Sequence, residues 1–157
     1  QANTIVELTG DCPFIDPSIV DRVIGLYYSG NSDYSSNIVK RSFPDGFDTQ
    51  VFSLQSLKRV NELTQDPIDR VHVSSFFYRP GSPFKIDNLE AESALHWPEL
   101  GLTLDERSDL EFLNAIFKRL GKGPEEFSAR DVVELLRKDS SLLEINKAVR
   151  RKTIEEG

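Results

Sequence analysis

The stretch Glu7-Leu8-Thr9-Gly10-Asp11-Cys12-Pro13-Phe14-Ile15-Asp16-Pro17 constrains this chain more than any other. Ahead of it, Thr4 to Leu8 reads as a buried strand, with Ile5, Val6 and Leu8 apolar. Behind it, Asp16-Pro17 sets an N-cap residue before a proline at the first helical position. Ile19, Val20, Val23, Ile24 and Tyr27 then recur on one helical face. A strand that stops at Thr-Gly-Asp, followed by a proline-led helix, is how open α/β sheets build a site at the carboxyl ends of their strands. Asp11 is the acidic side chain at that turn.

At 157 residues the chain is long enough for one domain with a real core. Its formal net charge of -7 argues against a broad nucleic-acid footprint. A nucleotide remains a possible ligand, because Mg²⁺ or a few local cations can offset its phosphates. The single cysteine, Cys12, excludes an internal disulfide framework and fits a reducing compartment. No charged segment leads into an apolar one, and no apolar run is long enough to span a membrane. A soluble, cytoplasmic protein without a membrane partner is expected. The chain has no methionine and opens inside a strand pattern. Further βα units that bind nucleotide phosphates are therefore expected upstream of Gln1.

The remaining pattern alternates strands and helices. Ser29-Gly30-Asn31 ends the first helix, and Asp33 to Val39 reads as a second strand. Pro44-Asp45-Gly46 is a turn, since proline presets one dihedral and glycine permits positive φ. Thr49 to Phe52 follows as a strand and Ser53 to Leu63 as a helix. Asp66-Pro67 starts another helix, which places His72 within it. Phe84 to Leu89 and Leu102 to Leu104 are strand candidates. Ser108 and Glu111 have the spacing of a capping box for a helix through Leu120. Ser128 caps a further helix, and Leu142 to Lys152 reads as a basic helical tail. Residues 1–121 then form an α/β core and 122–157 a helical tail of one domain. The expected fold is a mixed, mostly parallel sheet with helices on both faces.

Two places share one design: Leu8-Thr9-Gly10-Asp11 and Leu102-Thr103-Leu104-Asp105 each join an apolar strand to an aspartate and a capped helix. If the two strands are near neighbours, both carboxylates point into one crevice. A pair of carboxylates suits Mg²⁺, which keeps waters and takes substrate phosphates as its other ligands. On pattern alone, a second reading stays open, in which Asp11 and Asp105 are turn or N-cap residues serving only the backbone.

The motifs resemble a known family. Leu8 to Pro17 closely resembles the L-T-G-D-C-P-L-I-D-P motif of the spore-coat polysaccharide cytidylyltransferases, relatives of the CMP-KDO and CMP-sialate synthetases. Phe43-Pro44-Asp45-Gly46-Phe47-Asp48-Thr49-Gln50-Val51-Phe52 is similar to their F-P-D-G-L-D-V-E-V-F. Asp69-Arg70-Val71-His72-Val73 resembles E-R-E-H-V, and Tyr78-Arg79 follows in register. Leu102 to Asp105 with Asp109-Leu110-Glu111 resembles L-T-V-D-T-P-E-D-L-E, and Leu143-Glu144-Ile145-Asn146 with Val149-Arg150 is similar to the family's tail. The resemblance covers nearly the whole chain, in order.

It implies a Rossmann-like nucleotide-diphospho-sugar transferase fold with its N-terminal portion missing, and Mg²⁺-dependent catalysis in the longer protein. It also implies transfer of CMP from CTP to a sugar or sugar acid with release of pyrophosphate. Asp11 and Asp105 would hold Mg²⁺, and Thr9 and Gly10 would lie along the nucleotide. The relatives imply a homodimer. The family's glycine-rich and basic phosphate loop would lie upstream of Gln1. Glu106-Arg107 stands in place of the family's Thr-Pro, and Gly101 in place of a frequent basic residue.

Lys40 and Arg41 are candidates for an acceptor carboxylate or phosphate, or else solvated loop charges. Asp45 reads as a turn former, and Asp48 as an acceptor contact or a structural cap. His72 could orient an acceptor hydroxyl or act as a base, or pack at a subunit interface. His96-Trp97 reads as packing, Cys12 as a small buried residue and Lys147, Arg150, Arg151 and Lys152 as a solvated helix end. Two other functions compete with the transferase: a binding or assembly module derived from the same fold, and a phosphatase-like enzyme with Asp11 as nucleophile.

Overall fold

The computed structural model describes residues 2–123 and 126–150. Strands β1 (Thr4–Glu7), β2 (Tyr34–Ser36), β3 (Gln50–Ser53) and β4 (Ile86–Asn88) form one sheet in the order β1-β3-β2-β4. β1 and β2 each pair antiparallel with β3, and β2 pairs parallel with β4. Three strands therefore run the same way and β3 runs against them. The mostly parallel sheet has this form because α1 (Pro17–Ser29) carries the chain from β1 to β2 as a crossover. That crossover leaves a gap between β1 and β2, which β3 enters from the opposite direction.

The register places one apolar row across the sheet. Ile5 pairs with Phe52, Phe52 with Tyr34, and Tyr34 with Ile86. These four side chains pack with Val60 of α2 (Leu54–Leu63), with Phe76 and Phe77 of α4 (Ser75–Tyr78), and with Phe84. The Tyr34 and Phe77 rings stack with centroids 5.0 Å apart. Side chains two residues along a strand share a face. The next row on this face is Glu7, Gln50, Ser36 and Asn88, and it is wholly polar. The sheet thus changes from core to polar at the carboxyl ends of β1, β2 and β4.

A second core joins Phe14 and Ile19 to Phe43, Phe47, Leu100 and Leu102, and to α5 (Arg107–Leu120) and α6 (Ala129–Lys138). Phe112, Leu113 and Ile116 of α5 and Val132, Val133 and Leu136 of α6 are its buried centre. Asp16 ties the two ends of the chain together here. It caps α1 by accepting from the Ser18 amide at 2.8 Å, and its other oxygen accepts from the Ala129 amide at the start of α6, at 2.7 Å.

Three local expectations are corrected. Leu102 to Leu104 is extended but joins no strand ladder. Its amides bond to the turn at Asp45 and the loop at Asp11, and Gly101 makes an isolated bridge to Asp45. The cap of α5 is Glu106, with Asp109 as its reciprocal partner. Ser108 is already inside the first turn, because the Asp109 carboxylate reaches back to the amides ahead of the helix. The helix expected over 142–152 is absent among the described residues, where Ser140–Glu144 is a 3-10 turn and 145–150 is irregular. Arg151 and Lys152 lie outside the described residues.

Candidate active site

Asp11 sits in the turn after β1 and is half-buried, while Asp105 is exposed just ahead of α5. The two turns are zipped together through backbone. The Asp45 amide donates to Leu100 O at 2.9 Å, the Leu102 amide to Asp45 O at 2.7 Å, and the Leu104 amide to Asp11 O at 2.9 Å. Gly46 makes this approach possible. Its φ is 111°, and a Cβ placed there would lie 3.0 Å from the Leu102 carbonyl carbon. Only glycine combines that dihedral with that closeness at low cost.

Asp105 is held at both ends. Its carboxylate accepts from Thr103 Oγ1 at 2.8 Å. Its amide donates to Asp109 Oδ2 at 3.2 Å, and the Glu106 amide donates to the same oxygen at 2.9 Å. On the other side, Cys12 is buried beneath the turn, with Sγ 3.0 Å from Thr9 Oγ1 and 3.7 Å from Asp11 Oδ1. Burial pushes the thiol up to about 12, and the charges of Asp11, Asp48 and Asp45 add to the effect against the Thr9 hydrogen bond. Cys12 is a neutral packing group, not a nucleophile. Thr9 and Gly10 are exposed at the mouth of the turn.

Arg41 and Asp48 form a two-bonded pair, with Nη1 to Oδ1 at 2.9 Å and Nη2 to Oδ2 at 2.7 Å. Asp45 Oδ1 lies 3.5 Å from the same guanidinium. Burial works against the Arg41 charge, but the hydrogen bonds and charge of Asp48, aided by Asp45, hold its pKa above the ordinary arginine value. Asn37 fixes this loop from beneath. Its side chain donates to Phe47 O at 2.8 Å and accepts from the Thr49 amide at 2.9 Å.

The polar row of the sheet borders this cluster. Gln50 Oε1 accepts from Tyr34 OH at 2.5 Å and from Ser74 Oγ at 2.6 Å. Burial, then the charges of Glu7 and Asp48, raises the Tyr78 phenol above its usual range. Glu7 Oε2 is a buried acceptor with no hydrogen-bond partner among the described residues. Sequence reasoning did not single out Glu7, Gln50, Tyr34 or Ser74. Their signal was the register of β1 on β3, which needs the pairing itself.

The structure thus gathers Thr9, Gly10, Asp11, Arg41, Asp48 and Asp105 around the carboxyl ends of the parallel-running strands. Two further candidates have other contacts. Lys40 is a surface residue paired with Glu90 at 2.8 Å. His72 is the C-cap of α3 (Pro67–Val71), outside the helix expected for it, because the chain turns there and the His72 carbonyl accepts from the Ser75 amide.

Among the described residues no three of His, Cys, Asp and Glu gather closely enough to cage a metal ion. Asp11 and Asp105, whose turns are joined by the Leu104 to Asp11 backbone bond, offer the oxygen donors that Mg²⁺ takes when one or two carboxylates share it with waters and substrate phosphates. No helix among the described residues is long and apolar enough to cross a membrane.

No protein-family profile matches the chain. It is 28% identical over 142 residues to the spore coat polysaccharide biosynthesis protein SpsF of Bacillus subtilis, covering 88% of this chain and 57% of that protein. It is 26% identical to an uncharacterized protein of Methanocaldococcus jannaschii, over 99% of this chain and 62% of that one. Among solved structures, a cytidylyltransferase from Leptospira borgpetersenii superposes with a TM-score of 0.83 at 28% identity, over 95% of this chain and 61% of that one. The chain therefore spans between 57% and 62% of the length of these relatives.

Proposed function

We propose, from the premise that this chain is a relative of the spore-coat polysaccharide cytidylyltransferases, that it serves nucleotidyl transfer, moving CMP from CTP to a sugar or sugar acid for surface polysaccharide in the cytoplasm. The observation that supports this most is the backbone bond from Leu104 to Asp11, which brings two acidic turns of the motif set to one place. Asp11 and Asp105 are the residues that hold Mg²⁺ in this reading. The bound ion supplies charge neutralisation at the phosphates. A hydroxyl oxygen of the acceptor, releasing its proton to water, forms a bond to the α-phosphorus as the bond from that phosphorus to the oxygen bridging to the β-phosphate breaks, and pyrophosphate leaves. The chain's own part is positioning.

Thr9 and Gly10 border the nucleotide. Arg41 offers a guanidinium already oriented by Asp48, suited to an acceptor carboxylate or a phosphate. Glu7 Oε2, buried and without a hydrogen-bond partner among the described residues, would accept from an acceptor hydroxyl in this reading. Relatives of this kind suggest a homodimer.

The test is a screen of nucleoside triphosphates against sugars and sugar acids with the full-length protein and Mg²⁺, read as pyrophosphate release. CTP with one acceptor class is expected to stand out. No release with any pair, together with no CTP binding by calorimetry, would favour the assembly module.

A further inference from the structure

Asp109 is fully buried at the start of α5, with 0% exposure. A buried carboxylate is tolerable only where donors surround it. Two of its donors are the amides of Asp105 and Glu106, which meet Oδ2. A third comes from far along the chain: Asn146 Nδ2 donates to Oδ1 at 2.9 Å. Asn146 follows the 3-10 turn Ser140–Glu144, whose Leu142 is buried against the α5–α6 core. One side chain thus joins the backbone of a proposed cation ligand to the segment beyond α6.

We propose that Asn146 and Asp109 form a latch that sets Asp105, so that seating of the segment after α6 is coupled to cation loading at Asp11 and Asp105. This rests on the proposed cation role of those two aspartates. In this reading Asp109 and Asn146 are positioning residues that act through the backbone of Asp105. Thr103 orients the Asp105 carboxylate, while Asp109 fixes the backbone from which it springs. Removing the Asn146 amide leaves Asp109 Oδ1 without that donor. A buried charge that loses a hydrogen bond shifts to recover one, and the two amides on Oδ2 shift with it. Groups one bond behind a metal ligand change affinity without changing the ligand itself.

The test uses Asn146→Ala in the full-length protein, with Asp105→Asn beside it. Two readings are taken. The first is amide hydrogen exchange without metal. Exchange at Asp105 and Glu106 is expected to quicken about tenfold, while the Leu104 amide, bonded to Asp11, keeps its protection. The second is the Mg²⁺ concentration for half-maximal turnover, expected to rise about tenfold, with the rate at saturating Mg²⁺ retained. Unchanged exchange at Asp105 and Glu106 would overturn the latch. So would an unchanged Mg²⁺ midpoint where Asp105→Asn does raise it. An unchanged midpoint in Asp105→Asn itself would instead remove the cation role of Asp105, and the coupling with it, while the exchange data would still report whether Asn146 holds the backbone.

Discussion

The Leu104 amide donates to the Asp11 carbonyl at 2.9 Å, so the residue ahead of Asp105 is bonded to the first acidic turn itself. The contact is made by backbone. It therefore survives any side-chain substitution at either aspartate, and variants at Asp11 and Asp105 should report chemistry without loss of the fold. Asp11→Asn and Asp105→Asn are expected to unfold within about 1 kcal/mol of the parent in urea.

Gly46 is the opposite case. Its positive φ and its closeness to Leu102 leave no room for a side chain. Gly46→Ala is expected to cost about 1–3 kcal/mol, measured by chemical denaturation. Because Leu102 is the next link towards Leu104, the variant should also lose activity beyond its loss of stability.

Asp16 belongs to the motif yet acts as mortar between α1 and α6. Burial works against its charge, but hydrogen bonds from Ala129, Ser18 and Ile19 outweigh it and hold its pKa below the usual carboxylate range. A native pKa below the unfolded one gives stability that is full above about pH 4, the unfolded aspartate value, and fades as pH falls through the native pKa. Asp16→Ala should cost about 2–3 kcal/mol at neutral pH. It should also flatten the acid limb of the stability curve, as read by thermal melts from neutral pH down to the acid range.

Cys12 offers a direct check on the packing beneath the turn. With its thiol pushed up to about 12 and buried, it should resist alkylation at mildly alkaline pH. Iodoacetamide labelling followed by intact mass is expected to be slow in the native protein and rapid in urea. Fast native labelling would show that the turn opens.

Arg41 and Asp48 were separate candidates from sequence, and the structure makes them one unit. Arg41→Lys cannot keep both bonds, since a lysine lacks the planar fork. Arg41→Lys and Asp48→Asn are each expected to raise the acceptor KM more than they lower kcat. Their effects should be non-additive by about 1 kcal/mol.

The motif turn, the helix behind it and the glycine turn were legible because each rests on local chemistry: proline at a helix start, an acidic cap, a residue that tolerates positive φ. What was not legible depended on pairing at long range. Leu102 to Leu104 has the apolar pattern of a strand, but its amides are taken by Asp45 and Asp11, and no spacing reveals that. Ser108 matches a capping box, but it already lies in the first turn, and Asp109 at the third helical position reaches back to the amides of Asp105 and Glu106. The polar row from Glu7 to Asn88 appears only once β3 is known to lie between β1 and β2.

The central claim is that Asp11 and Asp105 hold one cation between them. The most direct measurement is a double-mutant cycle on the Mg²⁺ concentration for half-maximal pyrophosphate release, with Asp11→Asn, Asp105→Asn and both together in the full-length protein. A shared ion predicts that each single variant raises the requirement at least about tenfold and that the double variant falls well short of the product. Single effects that simply multiply, or a requirement that neither variant moves, would contradict it.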